Sequence, residues 1–214
     1  AYAEDGSATG INGSQSGNGA TNAGAAYVFQ RTGNSWSQQA YLKASNTGVV
    51  DSFGWSVAIS GDTVVVGAQA EDSNSTTING DQSNNAAGEA GAAYVFVRTA
   101  GTWSQQAYIK ASNSDTDDRF GMSVALAGDI LAVGAINEDS NATGVNPGLA
   151  AEANNSALKS GAVYVFQRSG TNWAQQAYVK PSNTGAGDGF GGVVALSGET
   201  LVVGAGHLVR RARH

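Results

Sequence analysis

The stretch Asp51-Ser-Phe-Gly-Trp-Ser-Val-Ala-Ile-Ser-Gly-Asp-Thr-Val-Val-Val-Gly-Ala68 decides the fold. Phe53-Gly54 opens a short apolar run, Gly61-Asp62 interrupts it, and a second run closes on Gly67-Ala68. Two short runs about a Gly-Asp pair predict a tight hairpin. Val64-Val65-Val66 has no polar side, so the second strand is expected to be buried on both faces. The stretch returns at Asp118–Ala135 with Gly128-Asp129 at its turn, and at Asp188–Ala205 with Gly198-Glu199.

Working outward, nearly the whole chain repeats. Ala1-Tyr-Ala-Glu-Asp5 matches Ala68-Gln-Ala-Glu-Asp72, and Gly24-Ala-Ala-Tyr-Val-Phe29 matches Gly91–Phe96 and Gly161–Phe166. Ala1 and Ala68 are 67 residues apart, as are Ala68 and Ala135, and Ala135 and Ala205 are 70 apart. The three extra residues fall around Pro147-Gly148-Leu149.

Each unit is expected to hold four strands. Ser56–Ser60 is strand one and Thr63–Ala68 strand two. Strand three is Ala25–Arg31, Ala92–Arg98 and Ala162–Arg168. In the first copy Tyr27, Phe29 and Arg31 alternate with Ala26, Val28 and Gln30, a period of two. Strand four starts at Trp36, Trp103 and Trp173. The runs are too short, too Gly-punctuated and too rich in Val, Tyr and Phe for helices. Four short antiparallel strands at a long fixed period predict an all-β chain of β-propeller blades. One blade cannot bury both faces of its sheet alone. The three repeated tryptophans are therefore expected to fill the space between blades, whereas Trp55 occurs in one copy only.

The composition agrees. Only 13% of the 214 residues are charged, and 30 are Gly. The net charge of −6 argues against a nucleic-acid surface. With no cysteine there is neither a disulfide framework nor a thiolate metal site. No run approaches the length of a membrane-spanning helix, so no membrane insertion is expected. No signal peptide is visible, and the chain starts mid-repeat, which leaves room for a preceding segment.

Phe53-Gly54 … Val66-Gly-Ala68, Phe120-Gly121 … Val133-Gly-Ala135 and Phe190-Gly191 … Val203-Gly-Ala205 resemble FG-GAP repeats, the repeat of the integrin alpha N-terminal β-propeller. The Trp-Ser-Gln-Gln-Ala-Tyr and Gly-Ala-Ala-Tyr-Val-Phe segments are similar to tandem arrays in secreted or surface proteins of bacteria. The resemblance covers residues 1–205 and implies an extracellular or cell-surface β-propeller. Integrin-type repeats hold calcium in an Asp-x-Asp-x-Asp-Gly-x-x-Asp loop between strands one and two. Here that connection is the two-residue turn Gly61-Asp62, Gly128-Asp129 or Gly198-Glu199, too short to wrap a cation that takes six to eight oxygens.

In an up-and-down blade the connections from strand two to three, and from strand four to the next strand one, share a face. Here these are the long ones. The first carries Glu71, Asp72, Asp81, Glu138 and Asp139, and the second carries Asp51, Asp115, Asp117, Asp118 and Asp188. These carboxylates are expected to converge on one face near a central opening. They offer hard oxygen ligands, so Ca²⁺ is one expectation there. The other is a solvated set of loop carboxylates and Asx-turns. Asp51, Asp118 and Asp188 recur in every unit, which a structural hydrogen bond explains more simply than a single site.

Catalytic chemistry has little to work with. Both histidines, His207 and His214, lie in the tail, so no serine within the repeats has a base beside it. The expectation is a non-enzymatic extracellular module for adhesion, surface assembly or ligand binding through the long-loop face. A propeller lectin and a propeller-scaffold enzyme are the alternatives.

By repeat matching, residues 1–46 are strands three and four of a split blade, 47–113 and 114–183 are whole blades, and 184–205 are strands one and two of the split blade. If the ends met they would complete three blades, below the usual four to eight. Truncation or assembly is therefore preferred: the expected partners are further blades or other copies of the chain, together with a glycan or protein ligand. The basic tail 206–214 fits a docking segment, a disordered end or a truncation scar.

Overall fold

The structure is a computed structural model, which describes residues 1–206. The basic tail beyond Gly206, with its three readings, lies outside the described residues. Twelve strands form four antiparallel sheets. β1 (Ala26–Thr32) and β2 (Ser35–Leu42) make a hairpin. β3 (Phe53–Ser60), β4 (Thr63–Ala68), β5 (Ala92–Thr99) and β6 (Thr102–Ile109) make a four-stranded blade in chain order. β7 (Phe120–Ala127), β8 (Ile130–Ala135), β9 (Ala162–Ser169) and β10 (Asn172–Val179) make a second. β11 (Phe190–Ser197) and β12 (Thr200–Ala205) close the series as a hairpin. The chain is all-β and built of propeller blades. Among the described residues the first and last hairpins do not pair with each other, so the sheets are not closed.

The blade order follows from the sequence. Ser60 pairs with Thr63 across the Gly61-Asp62 turn, a loop of two residues. β4 is buried along its whole length, as its unbroken apolar run requires. The cores lie between successive sheets. Val65, Val95 and Ala107 of the first blade meet Val124, Leu126, Phe166 and Trp173 of the second. Ala26, Ala40 and Val28 of the first hairpin meet Val64, Tyr94 and Trp103 in the same way.

The Phe-Gly and Gly-Ala ends of the motif meet between blades. Strand one begins earlier than expected, at Phe53, and skips two residues in register between Phe53–Ala68 and Ser56–Gly67. Phe53 is fully buried, whereas Gly54 has φ 87° and stands where a Cβ would lie 2.3 Å from the Ala25 carbonyl oxygen. A Cβ on Gly67 would lie 2.1 Å from the carbonyl oxygen of Gly121 in the next blade. Gly is thus needed at both ends so that neighbouring backbones can touch.

Two expectations change. The residues around Pro147 form one helical turn, α1 (Leu149–Glu152), with Ala151 and Glu152 donating their N–H groups to the Gly148 carbonyl. The tryptophans divide. Trp103 and Trp173 are 8% and 7% exposed between blades, but Trp36 is 67% exposed. The residue type is the same in all three; only the last two have a preceding sheet to cover them.

Candidate functional site

The long loops lie at one end of the blades, and their carboxylates are held in three repeated ways. The first is a loop clasp before strand one. Asp51 accepts from the Gly48 N–H at 2.7 Å, Asp118 from Asp115 N–H at 2.9 Å, and Asp188 from Gly185 N–H at 2.8 Å. Asp51 and Asp118 are buried. Burial pushes Asp51 up to about 7 and Asp118 up to about 8, with Glu71 and Glu138 respectively adding repulsion.

The second is a spacer tie. Asp72 accepts from Glu89 N–H at 2.8 Å and Asp139 from Lys159 N–H at 2.6 Å, each joining the two ends of a long loop. Asp5 does the same for Asn22 in the first unit.

The third is a buried ion pair absent from the sequence expectation. Lys110 Nζ donates to Glu71 at 3.0 Å, and Lys180 Nζ donates to Glu138 at 2.9 Å. Both pairs are removed from water, and burial pushes the two ammonium groups down from the usual lysine value. Lys43 and Glu4 form the corresponding pair at 2.9 Å in the first unit. Asn46, from the preceding unit, donates to Glu71 at 2.9 Å and accepts from the Tyr94 hydroxyl at 2.6 Å. Asn113 links Tyr164 to Glu138 likewise. The Lys110–Glu71 and Lys180–Glu138 pairs are therefore each tied to the unit before them, whereas Glu4 is held by Lys43 and Tyr41 of its own unit. The signal was present in the sequence: Lys43, Lys110 and Lys180 recur at the end of strand four, in step with Glu4, Glu71 and Glu138.

The remaining candidates are exposed or partly exposed and unrepeated. Asp81 accepts from the N–H and hydroxyl of Ser83, which hold its carboxyl below the usual range. Asp115 accepts from Asn155 at 2.9 Å. Asp117 accepts from Lys159 at 2.8 Å, Arg119 at 2.9 Å and Asn137 at 3.0 Å. Burial would raise Asp117, but the hydrogen bonds from Lys159 and Arg119 outweigh it and keep the carboxyl low. Among the described residues, no three His, Cys, Asp or Glu side chains gather in a way that could hold a metal ion.

At the other end, the short turns carry a second repeated constellation. Asp62 pairs with Arg98, and Arg98 stacks over the Trp103 ring with its guanidinium carbon 5.6 Å from the centroid. Asp129, Arg168 and Trp173 repeat this at 5.2 Å. The turn carboxylate thus steers the arginine that covers the tryptophan. In the split unit the corresponding residues are Glu199, Arg31 and Trp36; Arg31 and Trp36 face each other in the β1–β2 hairpin, whereas Glu199 lies at the turn of the separate β11–β12 hairpin. Arg31 Nε instead donates to the Gly33 carbonyl at 2.6 Å.

The two end sheets leave apolar surface open. On the first side, Phe29 is 54% exposed, although its counterparts Phe96 and Phe166 are buried. Val57 and Ile59 are also exposed there, and an apolar groove of about 450 Å³ runs past Ala1, Val28, Phe29, Gly54, Val57 and Val64. On the last side, Val193 and Val202 are exposed.

No curated protein matches the chain. The FG-GAP repeat family model matches residues 36–96, 103–166 and 173–210. These segments start at Trp36, Trp103 and Trp173, and the first two end at the phenylalanine of strand three. They take in each Phe-Gly to Gly-Ala hairpin, and on that match this chain belongs to the FG-GAP repeat family.

Proposed function

We propose that this chain is a non-enzymatic, extracellular or cell-surface propeller module. It joins copies of itself into a larger assembly and contacts partners through the long-loop face. The observation that carries the reading is the complementarity of the two half-blades. β11–β12 supplies strands one and two, and β1–β2 supplies strands three and four. In a whole blade Val65 pairs with Val95 and Val64 with Phe96. Carried over by the repeat, that register pairs Val202 of one copy with Val28 of the next, and Leu201 with Phe29.

Three features support this fit. The apolar groove beside β1 and β3 lies where strand two of a preceding blade belongs, and Val202 lies on the strand that would enter it. The charges match, because the composite blade brings Glu199 to Arg31 as Asp62 stands to Arg98. Ala1 marks the path: it exchanges backbone hydrogen bonds with Ala25, 3.0 Å in each direction. It therefore occupies the place that Ala68 holds against Ala92. Pairing between copies runs over Thr200–Gly204 and Ala26–Gln30, and Ala205 turns aside. An exposed strand edge beside an apolar groove favours such pairing. Family membership supports the surface location, since FG-GAP repeats are typical of extracellular and surface proteins.

Because the chain has no cysteine, the register can be tested by cross-linking. The double variant Val28→Cys/Val202→Cys, oxidised under native conditions, is expected to give disulfide-linked dimers or longer species, since directly opposed strand residues lie within disulfide reach. The displaced pair Val28→Cys/Thr200→Cys is expected to cross-link poorly. A wild-type chain that remains monomeric by mass in concentrated solution, with no cross-link from the first pair, overturns the reading.

A further inference from the structure

The insertion in the third copy interrupts the repeat, and an open pocket lies beside it. Between the two whole blades a space of about 470 Å³ is lined by Ile78, Ser112, Leu149, Glu152, Phe166 and Gln175, among others. It arises where the chain carries its three additional residues, next to the four-residue turn α1 that ends at Glu152. Backbone contacts identify the counterpart of Glu152 in the preceding unit as Gln82. Asn46 donates to the Gln82 carbonyl, and Asn113 donates to the Glu152 carbonyl.

The local hydrogen bonds differ sharply between these two units. In the preceding unit the three side chains are linked: Gln105 Nε2 donates to Ser45 Oγ at 3.1 Å, and Ser45 Oγ donates to Gln82 Oε1 at 2.5 Å, leaving only Gln105 Oε1 without a partner. The corresponding residues are Gln175, Ser112 and Glu152. There the set is open. Ser112 Oγ is buried without a partner, and the Glu152 carboxylate accepts no hydrogen bond from the described residues. Glu152 is nonetheless only 6% exposed. It lines the pocket, where a carboxylate with so little solvent gains from a donor or cation. Lys110 also lines the cavity, but its ammonium is held by Glu71 and forms no ion pair with Glu152.

We propose that this cavity is a binding site for a small organic amine, whose ammonium group sits between the Glu152 carboxylate and Ser112 Oγ. An ammonium has three donors and no acceptor, which suits a carboxylate, a hydroxyl oxygen and an amide oxygen such as that of Gln175. Ile78, Leu149 and Phe166 offer apolar surface to its carbon frame. The pocket has the size usual for small-molecule sites, and it is distinct from the edge contacts between copies. Burial, followed by repulsion from Glu138, pushes the Glu152 carboxyl up, and a bound cation would bring it back down.

The test uses the full chain with putrescine and glucosamine as amines and glucose as the uncharged control. Amide chemical shifts and thermal midpoint are followed together. The amines are expected to move the Ser112 and Glu152 amide signals and to raise the midpoint, whereas glucose does neither. Glu152→Gln copies the residue that the preceding unit already carries, so the variant is expected to fold. It should weaken amine binding at least about tenfold, by loss of the charged partner. Absence of any amine response overturns the proposal, as does an equal response in Glu152→Gln. A response to glucose matching that to glucosamine replaces the amine with an uncharged polyol and likewise overturns it.

Discussion

Ser56 Oγ donates to the carbonyl of Gly121 at 2.8 Å, across the boundary between the two whole blades. Ser123 makes the same bond to Gly191 at 2.7 Å. Each Phe-Gly bulge thus offers a carbonyl to the blade before it, and that blade answers with a serine and a side-chain-free glycine. The motif that defines the family is an adhesive between blades as well as a hairpin. In the last unit Val193 replaces the serine, and it is exposed. If copies join as proposed, the end contact between them would therefore be more apolar than the internal ones.

Two glycine variants separate folding from assembly. A Cβ on Gly134 would lie 1.9 Å from the Gly191 carbonyl oxygen, so Gly134→Ala is expected to lose about 1–3 kcal/mol by overpacking. A Cβ on Gly204 meets nothing closer than 3.5 Å, so Gly204→Ala should leave the thermal midpoint of the single chain nearly unchanged. In the composite blade Gly204 faces Gly54 of the next copy, as Gly67 faces Gly121. Gly204→Ala is therefore expected to weaken self-association. Unfolding curves and sedimentation on the two variants check both statements.

The buried ion pair should tolerate joint replacement better than the loss of one partner. Lys110→Met strands the Glu71 carboxylate, which is 1% exposed, and is expected to lose about 3–5 kcal/mol in denaturant unfolding. Lys110→Met/Glu71→Leu removes both charges and should recover most of that loss. A double variant as unstable as the single one would show that the Asn46 and Tyr94 hydrogen bonds, rather than the charge pair, hold the junction.

How much of this was legible beforehand depends on what each residue needs. Val64-Val65-Val66 carries its own signal, because an unbroken β-branched run between turns suits a central strand and little else. The Asp51, Asp118 and Asp188 clasps were legible as repeated hydrogen bonds from repetition alone. The burial of Lys110 was not, since a lysine at a strand end normally leads to solvent, and only its partner Glu71, 39 residues away, makes burial possible. The exposure of Trp36 was also hidden: it depends on a neighbouring sheet, and local sequence does not say whether one is there. Glu152 carries no signal of its own in the sequence, because the insertion beside it has the composition of ordinary spacer.

Stability should vary with pH in two opposed limbs. Asp51 and Asp118 have folded values of about 7 and about 8, raised from 3.8. The folded chain therefore holds these protons more tightly than the unfolded one. Their stabilising contribution is full below about 3.8 and is lost as pH rises through about 8. Glu4 and Asp117 are depressed, so their contribution is present above their unfolded values and is lost as pH falls through the folded ones. A thermal midpoint that is highest in weakly acid solution is expected. Asp118→Asn keeps an acceptor for the Asp115 N–H without the charge. It should flatten the alkaline limb and leave the acid limb in place, and an unchanged alkaline limb would show that Asp118 does not titrate there.

The tryptophans give the sharpest contrast, because one residue type occupies one repeat position in two environments. Trp173 is buried, with its Nε1 donating to Gln106 of the preceding blade at 2.9 Å and Arg168 over its ring. Trp173→Ala should lose about 3–5 kcal/mol, the usual cost of emptying such a site. Trp36 has neither a preceding sheet nor a covering arginine, and Trp36→Ala should lose less than about 1 kcal/mol in the isolated chain. If copies join as proposed, β9 and β10 of one copy cover Trp36 of the next. Trp36→Ala should then lower the association constant measured by sedimentation, while its unfolding curve at high dilution stays close to that of wild type. A large loss of stability at high dilution would place Trp36 in the core of the single chain, and unchanged association would remove it from the contact between copies.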